Sequence, residues 1–600
     1  MTSNACVTRR SGRCPGASLG AGLLLVVLGL LLALPGQAWA LRLEVQVEGL
    51  EAERERNVLA LLGIYQDRED ETLTPERVRA LHRRAPDQIR SALAPFGHYR
   101  VEVDAALQEP PNADDTWIAT YRVEAGDLVK VGSVDYRITG PGAQDPAFPA
   151  AFSMQVGEVL EHQRYTEARD EILAIAARQG YLDHQLLVHR VLIDLATYEA
   201  LILIHLDTGP RFYLGEVRFK QDLLDDRFLH KFVTFSPGAV YDPDELLNLQ
   251  ARLLGTEYFD SVELVPLKDE LSEDNRVPIE VIATPNKANR YRLGLGYGTD
   301  TGPRVTLDWR RRYLTSRGHR LSSELTWSEK VQTLEANYRI PIGDPVRDYL
   351  VARPEISTFD LPNRKGETYT LQLAHSVVTP RGWRRALGID YRYEDYEVDD
   401  TDSGTANELV PNASWSKTVS DDPIYTSRGY RLRYNLLGTV EGLVSDASYL
   451  SGTVSFKWVR RFAEELRFIT RADLGATLAD SVSDLPASRR FFAGGDVSIR
   501  GWAYGVLGPE DPATDGTLGG RYLAVGSLEL ERRIKGNWSA AVFTDFGNAF
   551  DPDAVNEIAV GAGLGLRWRS PVGQVRVDAA FALTEEGTPA RLHLVIGPDL

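Results

Sequence analysis

Arg500 stands near the end of a glycine-rich, mostly apolar segment, Phe491-Phe492-Ala493-Gly494-Gly495-Asp496-Val497-Ser498-Ile499-Arg500-Gly501-Trp502. Its guanidinium offers five N–H donors in a planar fork, the right shape to grip paired carboxylates. Apolar side chains crowded around one arginine suit a water-exposed loop poorly. A segment folded back into a wet enclosure would use the arginine as an anchor, provided that carboxylates lie on the enclosing wall. Two are placed for that. Leu528 and Leu530 on one face of an alternating run put Glu529 on the other, and Val542, Thr544 and Phe546 do the same for Asp545. The alternative leaves Arg500 in solvent with both carboxylates merely lining a wet interior. On the residues alone, that alternative is the better reading.

Other chemistry is sparse. The chain has no Gly-Lys-Ser/Thr phosphate loop and no HExxH zinc motif, and its only cysteines are Cys6 and Cys14. Gly561-Ala562-Gly563-Leu564-Gly565-Leu566 lacks the third glycine of a dinucleotide fingerprint and lies in a strand pattern. Spacing alone leaves a Ser/His/Asp triad open, because triads assemble in space. The expectation is a protein that is not an enzyme and holds no metal or cofactor.

The elements that must position Arg500 are legible. Arg9, Arg10 and Arg13 precede an apolar run from Leu23 to Leu34 and then Ala38-Trp39-Ala40, the pattern of a secretory signal peptide cut after Ala40. Both cysteines precede the run, so the exported chain is expected to be free of disulfides. The net charge of -18 becomes -21 once the three arginines are removed, which argues against nucleic acid as a partner. No later segment is long and apolar enough for a membrane helix, so a membrane-spanning form would be a barrel.

The remainder has two unlike parts. Residues 41 to about 285 mix helix and strand periods and repeat themselves. Gly132-Ser133-Val134 recurs as Gly215-Glu216-Val217, 83 positions on, and Tyr99, Tyr181 and Tyr258 follow helix-like stretches at intervals of 82 and 77. A period near 80 predicts three α+β modules of β-α-α-β-β order at 41–127, 128–209 and 210–286. Residues 287–600 alternate with period two: Leu387, Ile389, Tyr391 and Tyr393 oppose Asp390, Arg392 and Glu394, and Val575, Val577 and Ala579 oppose Arg576 and Asp578. Aromatics and aliphatics on one face, with charges of both signs on the other, predict a transmembrane antiparallel β-barrel of about 16 strands. The Arg500 segment then falls in a long sixth external loop, from about Ala479 to Gly520.

Ile499-Arg500-Gly501-Trp502 in that loop resembles the signature of the Omp85 superfamily, and the three preceding modules resemble its POTRA domains. Gly526-Ser527-Leu528-Glu529 and Phe543-Thr544-Asp545-Phe546-Gly547-Asn548 are similar to its next barrel motifs. Within the superfamily the likeness is to TamA-like chains, through Leu507-Gly508-Pro509, Gly519-Gly520-Arg521-Tyr522-Leu523, Gly565-Leu566-Arg567-Trp568-Arg569-Ser570-Pro571 and Ile596-Gly597-Pro598-Asp599-Leu600. Trp502 departs from the commoner Phe or Tyr. The resemblance implies that Arg500 contacts Glu529 and Asp545 in the lumen.

It also implies a factor of the Gram-negative outer membrane, modules in the periplasm, that helps insert and secrete autotransporters and other β-barrel proteins. Its partners would be a TamB-like inner-membrane-anchored protein, unfolded outer-membrane clients and outer-membrane lipid. A lateral seam between first and last strands fits this: Gly294, Gly296 and Gly298 on one face of the first strand pack poorly, and the short last strand, with Leu594 and Gly597, meets Pro598, which cannot donate a ladder bond. The competing explanation is that the glycines relieve crowding in the lumen. The alternative functions are a two-partner-secretion-type transporter and a passive pore; three modules, against the two usual in the former, speak for assembly.

Overall fold

The computed structural model describes residues 41–70, 72–111, 116–398, 402–442, 444–511, 516–552, 557–570 and 573–597. The predicted signal peptide and Pro598 lie outside the described residues. The chain forms two compact units, one ending at Arg211 and one beginning at Phe212.

The first unit holds two three-stranded sheets. In the first, the central strand Trp117–Glu124 runs parallel to Leu43–Glu48 and antiparallel to Glu102–Gln108. Helix Pro75–Leu93 starts where the Thr74 side chain accepts from the Arg77 N–H and Pro75 supplies a helical φ. Val78, Leu81, Ala85, Ile89 and Ala92 recur on one helical face and are buried against Ala119, Tyr121 and Val123 of the central strand. The second sheet repeats the plan with Lys130–Thr139, Glu199–Asp207 and Gln185–Asp194. It differs from the β-α-α-β-β expectation in one respect: its one α-helix is His162–Arg178. Between Gly140 and Leu160 the chain is turns and bends, and Phe148, Phe152, Met154 and Leu160 bury themselves where a first helix was expected. Phe148, Pro149 and the glycines Gly140, Gly142 and Gly157 favour that irregular path over a helix.

The third sheet, Tyr213–Lys220, Arg276–Pro285 and Phe259–Pro266, has the same parallel-then-antiparallel order and belongs to the second unit with the barrel. The repeated Gly-x-Val has a backbone cause. The outer strand slips register at Val131/Ser133 in one copy and at Leu214/Val217 in the other. A Cβ on Gly215 would lie 2.7 Å from the Val277 carbonyl, so the bulge needs a residue without one.

Sixteen antiparallel strands close the barrel, from Asn289–Gly298 to Ala590–Gly597. Leu387, Ile389 and Tyr391 are exposed on its outside, as are Tyr434, Leu436 and Leu528, whereas Glu394, Glu408 and Arg467 are buried inside. An apolar exterior around a charged interior is the pattern of a wall facing lipid.

The third sheet docks on one end. Tyr258 donates from Oη to the Gly318 carbonyl at 2.5 Å, and Arg252 grips Asp344 through Nη2 at 3.1 Å and Nη1 at 3.3 Å. Gly318 and Asp344 lie in turns that follow even-numbered barrel strands. The loop between the eleventh strand (Leu466–Leu478) and the twelfth (Tyr522–Lys535) is therefore at the opposite end, as the alternation requires.

Candidate functional site: the sixth-loop arginine and the barrel seam

The sixth loop folds into the lumen. Two short antiparallel bridges, Phe491 with Gly520 and Ala493 with Leu507, give it a ribbon-like base. Its apolar residues find an interior there: Ala493, Ile499 and Leu507 pack on Val525 of the twelfth strand and Ala559 of the fourteenth, Ala559–Ser570. Gly501, with φ +100°, turns the chain against Phe581 and Ala582, where a Cβ would sit 2.9 Å from backbone atoms. The apolar composition that suits water poorly thus forms a small core of its own.

Arg500 is buried, and each face of its guanidinium fork is used. Nε and Nη2 donate to the two oxygens of Asp545 at 2.7 and 2.9 Å, and Nη1 donates to Glu529 at 2.8 Å. Nη1 also reaches Asp578 at 3.1 Å, and the Arg500 backbone N–H adds a 3.0 Å bond to Asp545. The Arg500 guanidinium carbon lies 3.5 Å from the centre of the Phe543 ring. Water-filled surroundings would leave the loop and both carboxylates separately solvated. The apolar packing of Ile499 and its neighbours instead carries Arg500 inside, where its hydrogen bonds must be made.

Three carboxylates around one arginine would be repulsive, and a second arginine balances them. Arg567, on the fourteenth strand, donates from Nε and Nη2 to Glu529 at 3.1 and 2.8 Å and from Nη1 to Asp578 at 2.5 Å. A third, Arg471 on the eleventh strand, donates to the carbonyls of Val497 and Ser498. Farther round the wall, Arg489 pairs with Glu408 at 2.9 Å, Arg490 with Asp402 at 2.5 Å, and Arg521 takes Asp551 in a bidentate grip at 2.8 Å. The loop is fastened to both sides of the lumen.

Asp578 and Arg567 were readable in part. Val575, Val577 and Ala579 facing out place Asp578 inward by the rule that places Glu529 and Asp545. What alternation does not say is height along the strand, so nothing in the sequence brings the fifteenth strand (Gly573–Ala582) level with the twelfth and thirteenth. The glycines of the fourteenth strand carried a signal too. A Cβ on Gly561 would lie 1.9 Å from the Arg500 carbonyl, and one on Gly563 would meet the Phe543 ring at 2.6 Å. The run that fails as a nucleotide motif is a stretch of wall whose missing side chain at Gly561 lets the loop backbone lie against it.

The seam differs from every other junction. First and second strands pair over ten positions, from Asn289↔Arg311 to Gly298↔Gly302, and the last two strands over eight. First and last strands pair at one, Gly298↔Val595. A Leu594 N–H bond to the Thr299 hydroxyl at 2.8 Å adds to it. Gly597 pairs with Gln574 in the fifteenth strand and not across the seam. Crowding does not account for all the first-strand glycines: a Cβ on Gly294 would meet its nearest atom at 3.5 Å and one on Gly296 at 4.0 Å.

Fold and site define a class: a membrane β-barrel preceded by small α+β modules, with an arginine-anchored loop inside the lumen. Residues 287–599, just over half the chain, match the Omp85 superfamily domain, and the chain belongs to that superfamily. Residues 44–125 match the first POTRA domain of TamA. Among curated relatives, the outer membrane protein assembly factor BamA of Nitratidesulfovibrio vulgaris is 26% identical over 389 residues, covering 61% of this chain and 48% of that one. BamA of Neisseria meningitidis is 22% identical over 506 residues, covering 72% and 62%. The chain thus spans about half to three-fifths of the length of these relatives. Among solved structures, BamA from Haemophilus ducreyi lacking POTRA domains 1–3 superposes with a TM-score of 0.69 at 16% identity, covering 78% of this chain and 99% of that one.

Proposed function

We propose that this protein assists the insertion of other β-barrel proteins, autotransporters among them, into the outer membrane of a Gram-negative bacterium. The observation that carries the reading is the seam, one residue pair wide in a barrel whose other junctions are long ladders. Opening it breaks few hydrogen bonds and exposes two strand edges, on which an unfolded client could pair by β-augmentation. The names of the BamA relatives, outer membrane protein assembly factors, support the reading.

In this reading the POTRA-like modules stand in the periplasm. Their free sheet edges receive clients or a TamB-like partner anchored in the inner membrane. The protein works without bond-making chemistry, and its site residues hold and position backbone. Arg500, with Glu529 and Asp545, keeps the sixth loop in the lumen beside the seam.

The test uses purified protein in liposomes and follows membrane insertion of an unfolded outer-membrane client. Acceleration over empty liposomes, reduced by Arg500→Ala with the barrel still folded, is the expected result. No acceleration, together with ion flux across the bilayer, would replace assembly by a transporter or pore.

A further inference from the structure

Backbone pairing does little to close the barrel, yet the first and last strands lie side by side. Something else holds them. The first hairpin turn, between Gly298 and Gly302, carries Asp300; the last strand carries His593, whose ring is buried on the lumen side. Among the described residues, neither side chain hydrogen-bonds to the backbone of the other strand. Between them sits Asp496, near the tip of the sixth loop.

Asp496 contacts both. Its backbone N–H donates to Asp300 Oδ2 at 2.7 Å, and its carboxylate Oδ1 meets His593 Nδ1. The other ring nitrogen of His593, Nε2, accepts the Gly501 N–H at 3.0 Å. A nitrogen that accepts is unprotonated, so the proton of the neutral ring is on Nδ1 and points at Asp496. Gly495, with φ +102°, lets Asp300 come close: a Cβ there would lie 2.6 Å from Asp300 Oδ2. Among the described residues the loop tip therefore makes one hydrogen bond to the first hairpin and two to the last strand, across a junction that has one backbone pair of its own.

We propose that Asp496 is a latch: the loop tip, joined to His593 on one side and Asp300 on the other, holds the seam shut in place of strand pairing. Arg500 lies four residues further along the same loop. Whatever lifts that loop from its carboxylates also removes the latch, so loop release and seam opening are one event. Asp496, His593 and Asp300 are positioning residues. Their functional consequence rests on the assembly reading above, but their effect on the seam does not.

The same three side chains offer one ligand atom each, all within 4.8 Å of one another, so a bridging cation is the competing explanation. The bonding of His593 speaks against it, since Nε2 is taken by Gly501 and Nδ1 carries the proton directed at Asp496.

The experiment reads the seam directly. In the full chain with Cys6 and Cys14 replaced by serine, spin labels at Tyr297→Cys and Ile596→Cys, both exposed on the lipid side, report the distance between the two strands in proteoliposomes. Asp496→Ala is expected to raise the widely separated population roughly tenfold, the scale for losing a buried hydrogen bond to a charged group. Asp496→Asn keeps an oxygen for the His593 proton and is expected to hold the seam near its parent distance. Should Asp496→Ala fail to fold, His593→Ala against His593→Gln asks the same question from the other strand.

An unchanged distance distribution in folded Asp496→Ala or His593→Ala overturns the latch. Opening of the parent by a chelator overturns it in favour of a cation. A seam opened by the variants, with client insertion unaffected, leaves the latch standing and removes the seam from the assembly reading.

Discussion

Replacing Arg500 by alanine separates an anchored loop from a merely enclosed one. The substitution deletes the donors that reach Glu529, Asp545 and Asp578. Glu529 and Asp578 keep Arg567, but among the described residues no second arginine hydrogen-bonds Asp545, whose remaining donors there are the backbone N–H at position 500 and the Ser527 hydroxyl. Asp545 is fully buried, so water does not take over the lost partner unless the loop moves. Removing one partner of a buried ion pair costs about 3–5 kcal/mol, most of it the uncompensated charge. At about 1.4 kcal/mol per factor of ten, the released loop should become more populated by roughly two to three and a half powers of ten. Ile499 is 0% exposed, so Ile499→Cys reports release as its rate of reaction with a membrane-impermeant maleimide. The other loop contacts, Arg489 with Glu408 and Arg490 with Asp402, confine release to the segment around the tip. Adding Asp545→Asn to Arg500→Ala should slow labelling again by at least about tenfold, because the neutral amide no longer drives the loop out. A labelling rate within threefold of the Arg500 parent would refute the argument. So would a double variant that labels as fast as Arg500→Ala alone.

Three further outcomes follow from the geometry. Gly561→Ala, whose Cβ would fall 1.9 Å from the Arg500 carbonyl, should expose Ile499→Cys to the same reagent, whereas Gly294→Ala, with 3.5 Å of room, should leave labelling unchanged. At the third sheet, burial by itself would raise the Glu257 carboxyl, but Arg310, Arg290 and Arg312 outweigh it and hold it below its ordinary value. A depressed carboxyl stabilises the folded form above its unfolded pKa of about 4.3 and loses that contribution as pH falls through the lower folded value. Acid-induced loosening of the third sheet from the barrel, read by hydrogen exchange below about pH 4, should therefore be steeper in the parent than in Glu257→Gln. Arg252→Ala and Asp344→Ala should each loosen the same junction, and a double-mutant cycle should return coupling of about 0.5–1 kcal/mol, since Asp344 is a third exposed.

The interior of the lumen shows where reading a sequence stops. Alternation sorts residues to two faces because the side-chain period of a strand is two, and by that rule Glu529, Asp545, Asp578 and Arg567 all go inside. It does not give height, which depends on how strands stagger around the closed barrel. The stagger is what brings the twelfth to fifteenth strands level at one arginine. The resemblance of Ile499-Arg500-Gly501-Trp502 to a family motif anticipated two of the three carboxylates, where the residues alone favoured an arginine in water. The single helix of the second module was missed for another reason: a repeat seen at 83 positions suggests equal copies, and Phe148, Phe152 and Met154 can be buried by turns as well as by a helix.

Strand number, the lipid-facing and lumen-facing faces, the three-sheet plan and the loop that holds Arg500 are local properties, written in periods of two and of about 80 and in the placing of glycines. The ring of charges around Arg500 joins positions up to 78 residues from it, and the one-pair seam and the bridge from Asp300 through Asp496 to His593 join positions nearly 300 residues apart. Only closure of the barrel decides which of those positions meet, because hydrogen bonds between first and last strands depend on shear and tilt summed over sixteen strands.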